Sequence, residues 1–545
     1  MPHERTEEFS FKNFFIPLTS LKAVHFIVII GLVVYFNSLF NGFVWDDFGY
    51  ILNYPPLHSL NLQVLFGQND FNQPDSYYRP LSALYFAILY TLVGNHALLY
   101  HLLLIIVCII NAVLVYFLFK KFFSILPSFF AGIVFLIHPL NAESVDYIAQ
   151  TNSPLSFLFG MIALLIGCKK ESYRKRDYFL ISICLLISLL TKESGILFFI
   201  LLFLYKYLYN RKESLQIFFT GAATVVLYLL LRMATIGIAI KPAVMIPVLQ
   251  TTIVEKFISI PKIFAYYIVN LFYPNTISID QLWTVKEITV PNFYLPLIVT
   301  LLFFGVLIGV GIYLRQSMYR KAYLFFLVWL AIGGVLLLPF LPLDMTVADR
   351  WFYFPMVGLL GIIGIFYQML ITKSSRLKSS ISVVLIIIVL LSVRTIIRNA
   401  DFHDAFVLYL HDSKISDNYD IEDNLAGEYY AMGNYREALT HYKKSVELFP
   451  YEVNYYNLAY CYSQLGEKQQ AIDAYAQALR RKHYSSIPQK HLSITYTQYA
   501  LTLLEVREYQ KAKRIITVGL SEYPDSSDLK TELILAQGKL SAQSK

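Results

Sequence analysis

Two adjacent carboxylates, Asp46 and Asp47, follow the first apolar segment of a 545-residue chain in which only 15% of the residues are charged. Charged side chains beside a membrane span are costly to keep, and those present commonly have a function. A carboxylate can take a proton from a hydroxyl or amine nucleophile as a new bond forms. The acid pair is therefore a candidate catalytic base. The alternative, for either residue, is that it orients a loop or caps a helix.

Four further short motifs carry side chains that can bind a substrate: Tyr78-Arg79-Pro80-Leu81, the segment 138–145 with His138 and Glu143, Thr191-Lys192-Glu193, and the segment 349–355 with Asp349 and Arg350. Arginine and lysine hold phosphates, arginine in bidentate fashion. Such contacts stabilise the charge that develops on a departing phosphate. A base opposed by a cationic clamp suits group transfer from a membrane-anchored phosphate donor.

Each motif also has a structural interpretation. Arg79 can pair with a carboxylate, and His138-Pro139 can end a helix at the membrane interface. The pairs Lys192-Glu193 and Asp349-Arg350 can each compensate their own charge at a helix end. The aromatic residues of the last motif are typical of the belt at a membrane surface.

Composition predicts that these motifs belong to a polytopic membrane protein. Hydrophobic residues make up 57% of the chain, which leaves too little polar surface for a soluble domain. The net charge of +8 comes from short Lys/Arg clusters between apolar runs rather than from a patch, so no nucleic-acid partner is expected. The clusters are Lys120-Lys121, Lys169 to Arg176, Arg211-Lys212, Arg315 to Lys321 and Lys373 to Lys378. The four cysteines show neither CxxC nor ligand spacing, so no metal site is assigned.

Eleven apolar segments predict transmembrane helices that start near residues 24, 97, 124, 152, 178, 195, 215, 293, 322, 351 and 381. The first is interpreted as a retained span rather than a signal peptide. Two further apolar stretches, Leu81 to Val93 and Phe257 to Tyr273, are assigned to the outer side as interfacial or re-entrant helices. With the N-terminus inside, every Lys/Arg cluster falls on the cytoplasmic side. All five motifs and the C-terminal region then lie on the opposite side.

After Arg398 the composition changes, and three segments repeat one pattern of small and aromatic residues. They begin at Leu425-Ala426, Leu458-Ala459 and Tyr499-Ala500, with about seven extra residues near Ser485 to His491 before the third. The pattern predicts a tetratricopeptide (TPR) α-solenoid, which presents a concave surface to peptides and proteins. The predicted fold class is therefore all-α. Residues 1–397 form a transmembrane domain, residues 398–420 a linker and residues 421–540 the repeat domain.

These motifs, taken in order, resemble those of the GT-C superfamily of polytopic glycosyltransferases. Within it the chain is most similar to the transmembrane and TPR-containing (TMTC) protein O-mannosyltransferases and their prokaryotic relatives. The resemblance covers residues 24 to 530 and rests on the acid pair, Tyr78 to Leu81, His138…Glu143…Val145, Lys192-Glu193, Arg350…Tyr353…Pro355 and the repeats. One stretch departs from the family pattern. Where the family carries a charged pair, this chain has Gln150-Thr151-Asn152-Ser153.

The resemblance implies transfer of mannose or another hexose from a polyprenyl-phosphate carrier to a protein hydroxyl, with inversion at the anomeric carbon. It makes Asp46 the base and Asp47 its support, and Arg79, Lys192 and Arg350 contacts to phosphate or substrate. His138, Glu143, Glu193 and Asp349 are further candidate substrate-binding residues from the same motifs. The short repeat array favours a bacterial cytoplasmic membrane, with the active site and repeats outside. In a eukaryote the location would be the endoplasmic reticulum membrane.

Two alternatives stay open from sequence. In the first, the chain is a non-catalytic membrane anchor whose repeats organise an envelope or secretion complex. In the second, it is a glycosyltransferase whose acceptor is a lipid or glycan instead of a protein. The only cofactor-like molecule expected is the lipid-phosphate sugar. Carboxylates could bind a divalent metal, but the loops show no ligand spacing, so metal is left unassigned.

Overall fold

A computed structural model of the chain describes residues 18–67, 77–169, 173–236, 247–340, 345–372, 377–481 and 489–543. These residues form helices, turns and an isolated antiparallel bridge between Gln281 and Val347. The all-α fold class is therefore confirmed.

Among the described residues, the membrane part contains thirteen helices of 13 residues or more. They are α1 (Ser20–Val34), α2 (Pro80–Val93), α3 (Ala97–Phe119), α4 (Ile125–Ile137), α5 (Asn152–Lys169), α6 (Lys175–Thr191), α7 (Ile196–Tyr209), α8 (Arg211–Thr235), α9 (Ile253–Phe272), α10 (Leu295–Tyr313), α11 (Arg320–Val335), α12 (Tyr353–Thr372) and α13 (Leu377–Asp401). Short helical turns connect them at Asn37–Phe40, Phe48–Leu52, Pro55–His58, Leu62–Gly67, Pro139–Asn141, Glu143–Asp146, Ile148–Thr151, Glu193–Gly195, Pro247–Gln250, Val290–Tyr294 and Asp349–Phe352.

Each of the eleven predicted spans coincides with a helix, and both predicted interfacial stretches are helices as well (α2 and α9). The count of eleven crossings is not confirmed. In the described part of the chain, six helices are long and apolar enough to cross a membrane, or seven if the bent pair Ile125–Ile137 and Pro139–Asp146 is one span. The difference arises because helices such as α1, with 15 residues, are shorter than the roughly 20 residues that a span needs.

The core of the membrane part is built around α4, which is buried along most of its length. Helices α1, α3, α12 and α13 pack around it. Beside them α11 and α12 approach so closely that a Cβ at Gly358 would lie 2.5 Å from the backbone nitrogen of Leu330. Glycine is needed here because any side chain would push the two helices apart. The helices thus form one packed scaffold, from which the connecting turns project.

The C-terminal part is an antiparallel helical array. Its helices are α14 (Ala405–Asp412), α15 (Tyr419–Ala431), α16 (Tyr435–Leu448), α17 (Glu452–Gln464), α18 (Lys468–Arg480), α19 (Gln489–Glu505), α20 (Tyr509–Glu522) and α21 (Ser527–Gln543). The pairs α15–α16, α17–α18 and α19–α20 correspond to the three predicted repeats. The extra residues before the third repeat lie largely outside the described residues.

The turn inside each repeat has a left-handed residue at the same place, two positions before the second helix. Gly433 and Gly466 fill it in the first two repeats, with φ of +80° and +78°. In the third repeat Arg507 holds that position with φ of +65°. A residue with a Cβ adopts this conformation only at a cost, so the third turn is held by the packing of its helices rather than by its sequence.

The repeat array is docked on the membrane part. The Asp412 carboxylate at the end of α14 accepts hydrogen bonds from the Ile279 backbone nitrogen at 2.7 Å and from Arg398 of α13 at 2.8 Å. The Asn418 amide donates to Asp280 at 2.8 Å. These buried contacts seat the first repeat on the loop 276–281, next to the turn that carries the acid pair.

Candidate active site

Four of the five sequence motifs contribute side chains to one cavity of about 440 Å³, and the segment 138–145 contacts it through Glu143, which binds Arg350. Asp46, Arg79, Lys192, Glu193 and Arg350 all line it. Aromatic side chains of the scaffold also line it: Phe157, Phe198, Tyr353 and Phe354. These four rings form two edge-to-face pairs, with centroids 5.1 Å apart for Phe157 and Tyr353 and 5.3 Å apart for Phe198 and Phe354. The cavity therefore joins a polar charged rim to an apolar aromatic wall.

The acid pair sits on a strained turn. Trp45 has φ of +49°, in the left-handed region that non-glycine residues rarely adopt. Its ring packs against Tyr409 of α14 with centroids 6.0 Å apart. Beyond this turn the half-buried Asp46 lines the cavity, and its Oδ2 accepts a hydrogen bond from the Tyr147 hydroxyl at 2.6 Å. Strain of this kind persists only where the surrounding structure holds it, commonly at functional sites.

Asp47 faces away from the cavity. Its side chain is fully buried, and its two oxygens accept backbone hydrogen bonds from Val44 at 2.9 Å and Ala149 at 2.7 Å. Burial raises the pKa of Asp47, the two backbone donors oppose that shift, and the nearby Asp46 adds to it. Asp47 thus ties the acid turn to the segment 148–151, and its carboxylate does not line the cavity.

Arg79, Glu193 and Arg232 form a charged row along one side of the cavity. The Arg79 Nε donates to Glu193 Oε2 at 2.9 Å, and Arg232 Nη1 lies 3.8 Å from Glu193 Oε1. The Arg79 guanidinium also stacks on Tyr77, 4.2 Å from the ring centroid. One carboxylate is therefore shared by two guanidinium groups, which leaves a net positive row beside the cavity.

Lys192 adds a third cation to this side. Its Nζ donates to the Ser153 hydroxyl at 2.6 Å. Burial, and after it the charges of Arg79 and Arg350, lower the pKa of Lys192 to about 7, and the charges of Glu193 and Glu143 oppose this shift only in part. A lysine with this pKa gains its full charge when an anion enters, because an opposite charge restores the protonated form.

Arg350, which also lines the cavity, is held by Glu143. The Glu143 carboxylate accepts hydrogen bonds from the Arg350 backbone nitrogen at 2.8 Å and from its guanidinium Nη1. The guanidinium carbon lies 5.7 Å from the centroid of the Tyr147 ring. Tyr147 therefore contacts both Asp46 and Arg350 and fixes the Asp46 carboxylate relative to this cation.

Besides Asp47, three candidates from the sequence lie outside the cavity lining: His138, Glu143 and Asp349. The His138 ring is buried, with Nε2 2.9 Å from the Leu271 carbonyl and Nδ1 accepting from the Leu140 backbone nitrogen at 3.2 Å. Asp349 is buried and accepts from the Tyr266 hydroxyl at 2.6 Å. Both are engaged by the scaffold, as is Glu143, so they support the site from behind.

Three residues that line or contact the cavity were not singled out from the sequence. Arg232 is an isolated arginine in the last turn of an apolar helix, 8% exposed. The sequence feature that could have identified Arg232 is a charged residue at the end of an apolar span, where a charge is costly. Ser153 lies in the stretch that departs from the family pattern, and Tyr147 follows the His138 motif directly. Neither has a distinctive local pattern, so only the three-dimensional arrangement identifies them.

The described residues bring together no group of three His, Cys, Asp or Glu side chains suited to hold a metal ion. The metal requirement therefore stays unassigned, as it was from the sequence. The cationic side chains supply the positive charge at this site whether or not a metal takes part.

Comparison with known proteins finds a repeat family in the C-terminal part and similarity to protein O-mannosyl-transferases. A tetratricopeptide repeat family model matches residues 420–482, the first two repeats. The chain is 24% identical to "Protein O-mannosyl-transferase TMTC3" of Homo sapiens over 95% of its own length and 63% of that protein. It is 30% identical to "Protein O-mannosyl-transferase TMTC2" of Homo sapiens over 31% of its own length and 22% of that protein.

Among solved structures, the Archaeoglobus fulgidus oligosaccharyltransferase aligns with a TM-score of 0.39 and 12% identity, covering 72% of this chain and 57% of that one. The match to TMTC3 covers almost the whole of this chain but less than two thirds of the length of TMTC3. The resemblance predicted from the motifs is confirmed along almost the whole sequence. This chain is a membrane protein with a C-terminal TPR array, and it is similar to the TMTC protein O-mannosyl-transferases.

Proposed function

We propose that this protein is an integral-membrane glycosyltransferase that transfers mannose or another hexose from a polyprenyl-phosphate carrier to an acceptor outside the cytoplasm. The proposed acceptor is a protein hydroxyl. The observation that carries the proposal is the shared cavity, in which the Asp46 carboxylate and the cationic side chains of Arg79, Lys192, Arg232 and Arg350 line the same space.

The division of charge in this cavity matches the needs of sugar transfer from a phosphate. As the acceptor oxygen attacks the anomeric carbon, Asp46 takes the acceptor's proton and the bond between that carbon and the phosphate oxygen breaks. Polyprenyl phosphate leaves with the bonding electrons, and the cations stabilise its growing negative charge. Attack from the side opposite the leaving group inverts the anomeric carbon. Tyr147 orients Asp46 through its 2.6 Å hydrogen bond.

The rest of the molecule supports the same assignment. Apolar and aromatic walls beside the cations, among them Leu197, Leu336 and Trp351, suit the first isoprene units of a lipid carrier. The repeat array packs next to the acid turn and can hold a polypeptide acceptor close to Asp46. By the positive-inside rule the cavity faces away from the cytoplasm. In a bacterium it would open on the outer side of the cytoplasmic membrane.

The proposal is tested by incubating the purified full-length protein with polyprenyl-phosphate mannose and measuring release of polyprenyl phosphate. We expect Asp46→Asn to reduce the rate by about 10²- to 10⁴-fold, the usual contribution of a general base. Glu287→Gln is the matched control, because Glu287 is an exposed acidic residue of a loop on the same predicted side. It should release lipid phosphate at the unmodified rate.

The proposed transferase activity is supported if the unmodified protein releases more lipid phosphate than Asp46→Asn does. Equal release by the two proteins, with both correctly folded and inserted, would remove Asp46 as the base. If no polyprenyl-phosphate hexose is consumed while the repeats alone restore the phenotype of a deletion strain, the chain is the scaffold described as the alternative.

A further inference from the structure

A second, larger cavity lies between α9, α10, α11 and α12. It measures about 640 Å³, and besides two arginines and two tyrosines its lining is apolar. The hydroxyls of both tyrosines are turned away into the scaffold, since Tyr267 donates to the Ala348 carbonyl at 2.8 Å and Tyr323 donates to the Leu307 carbonyl. The walls therefore fit a hydrocarbon chain rather than a polar solute.

This cavity opens sideways. Several of its wall residues are strongly exposed although they are apolar: Ile308 is 65% exposed, Ile312 60% and Val335 57%. Together with the turn before it, α10 is long and apolar enough to cross a membrane, and exposed apolar side chains on such a helix face lipid. A molecule dissolved in the bilayer can therefore enter the cavity without crossing water.

The two arginines mark one end of the cavity. Arg315 lies in the turn between α10 and α11, Arg320 is the first residue of α11, and both are exposed. The other end is lined by Leu338 and Phe352, just behind the catalytic rim at Arg350. The 16 residues of α11 separate these ends by roughly 24 Å at 1.5 Å per residue. That length approaches the thickness of the bilayer hydrocarbon, about 30 Å.

We propose that this cavity is a binding site for an anionic phospholipid of the cytoplasmic leaflet. The acyl chains occupy the apolar space between α10 and α11, and the phosphate head group binds Arg315 and Arg320. Basic side chains at the edge of a span attract anionic head groups in this way. The bound lipid fills the space behind α11 and α12, the two helices whose ends carry Leu336 and Trp351 of the catalytic cavity.

The positions of the basic side chains distinguish this lipid from the sugar donor. If the proposed function holds, the donor's phosphate lies at Arg79, Lys192 and Arg350, at the opposite end of α11 from Arg315 and Arg320. One phosphate cannot occupy both ends. The arginine pair therefore selects a separate lipid, whose head group lies in the other leaflet.

The experiment uses native mass spectrometry of the purified, delipidated full-length protein. It is offered equal amounts of phosphatidylglycerol and phosphatidylcholine with identical acyl chains. We expect preferential retention of phosphatidylglycerol, and a loss of that preference on the order of tenfold in Arg315→Gln/Arg320→Gln. Lys175→Gln/Arg176→Gln removes the same charge from exposed residues of another cluster on the same predicted side, and should retain the lipid as the unmodified protein does.

A second variant tests the apolar part without changing charge. Ala331 lines the cavity from an exposed position, and Ala331→Phe fills space that an acyl chain would occupy. We expect lower retention of phosphatidylglycerol by this variant at an unchanged melting temperature. Unchanged retention would overturn the assignment of the chains to this cavity.

Three outcomes would overturn the proposal: equal retention of both phospholipids by the unmodified protein, equal loss in the control double variant, or displacement of phosphatidylglycerol by polyprenyl phosphate. The last outcome would give the cavity to the carrier lipid instead. Asp46→Asn should retain phosphatidylglycerol normally. Failure of the transferase assay and failure of lipid binding are therefore distinguishable.

Discussion

Trp45 separates the roles of the two aspartates that follow it. Its left-handed backbone, at φ +49°, precedes an Asp47 that is fully buried and an Asp46 that lines the charged cavity. Two carboxylates side by side in one environment would raise each other's pKa. Here Asp47 is held by two backbone donors in the scaffold, whereas Asp46 lines the cavity and accepts a hydrogen bond from Tyr147. The adjacent pair is thus divided between the scaffold and the cavity, which is the arrangement that the proposed roles of support and base require.

The lowered pKa of Lys192 predicts a pH dependence. Because this pKa is about 7 in the free protein, Lys192 is charged below that value and loses its charge as the pH rises through it. The kcat/KM for the lipid donor, which reports ionisations of the free enzyme, should therefore fall as pH rises above about 7. Lys192→Arg should abolish this fall, since a guanidinium stays protonated. An unchanged alkaline fall in Lys192→Arg would assign the ionisation to another group.

Arg232 is predicted to bind the donor phosphate although no sequence motif marks it. Removing its charge leaves Glu193 paired with Arg79 alone and weakens the cationic row. We expect Arg232→Gln to raise the KM for the lipid donor by about tenfold, the size of one charged contact. Arg211→Gln, at the other end of α8, is the matched control and should leave KM unchanged. A normal KM in Arg232→Gln would make Arg232 a purely structural partner of Glu193.

At the scale of elements, helix α14 acts as a brace for the acid turn. The Trp45 ring rests on Tyr409, and the Gly42 backbone nitrogen donates to the His403 carbonyl at 2.8 Å. Tyr409→Ala removes the surface that holds Trp45 in its strained conformation. We expect kcat to fall by roughly tenfold or more with little change in donor KM, because Asp46 is misplaced while the cations are not.

Phe406→Ala provides the control for this brace. Phe406 lies on the same helix but packs against Tyr429 of the first repeat, with ring centroids 5.2 Å apart. Its loss should lower stability without a selective fall in kcat. If both variants reduce kcat to the same extent, α14 affects activity only through general stability.

The helices were largely predictable because apolar runs and charge clusters are local signals. The turns of the first two repeats were also predictable, since each has a glycine, Gly433 or Gly466, at the position with φ near +80°. Arg507 shows the limit, because its left-handed turn has no glycine to announce it. The number of crossings was less predictable, since helices as short as the 13-residue α4 are held by packing rather than by length.

The candidate site was predictable as a set of motifs but not as a geometry. Asp46 and Lys192 each follow an apolar run and Arg79 directly precedes one, and a charge is conspicuous at such positions. That His138 and Asp349 point into the scaffold depends on partners such as the Leu271 carbonyl and Tyr266, which are distant in sequence. Periodicity and spacing carry no information on such long-range partners.

At the scale of the whole molecule, the charges are arranged along one axis. The catalytic rim with Arg350 lies at one end of α11 and α12, and the arginine pair 315 and 320 lies at the opposite end of α11. The repeat array is docked at the catalytic end through Asp412 and Asn418. A lipid-linked sugar, an acceptor and the base can therefore meet on one face of the membrane, provided that this face is outside the cytoplasm.

Site-directed cysteine labelling measures that orientation most directly. Gly49, next to the acid pair, is exposed and has no heavy atom within 4 Å of an added Cβ, and Met318 beside the arginine pair is 87% exposed. The native Cys108, Cys168 and Cys461 are buried, so a Cys184→Ser background is quiet. In intact cells a membrane-impermeant maleimide should label Gly49→Cys at once, and Met318→Cys only after permeabilisation. Labelling of Met318→Cys but not Gly49→Cys in intact cells would put Asp46 in the cytoplasm and contradict the proposed transfer.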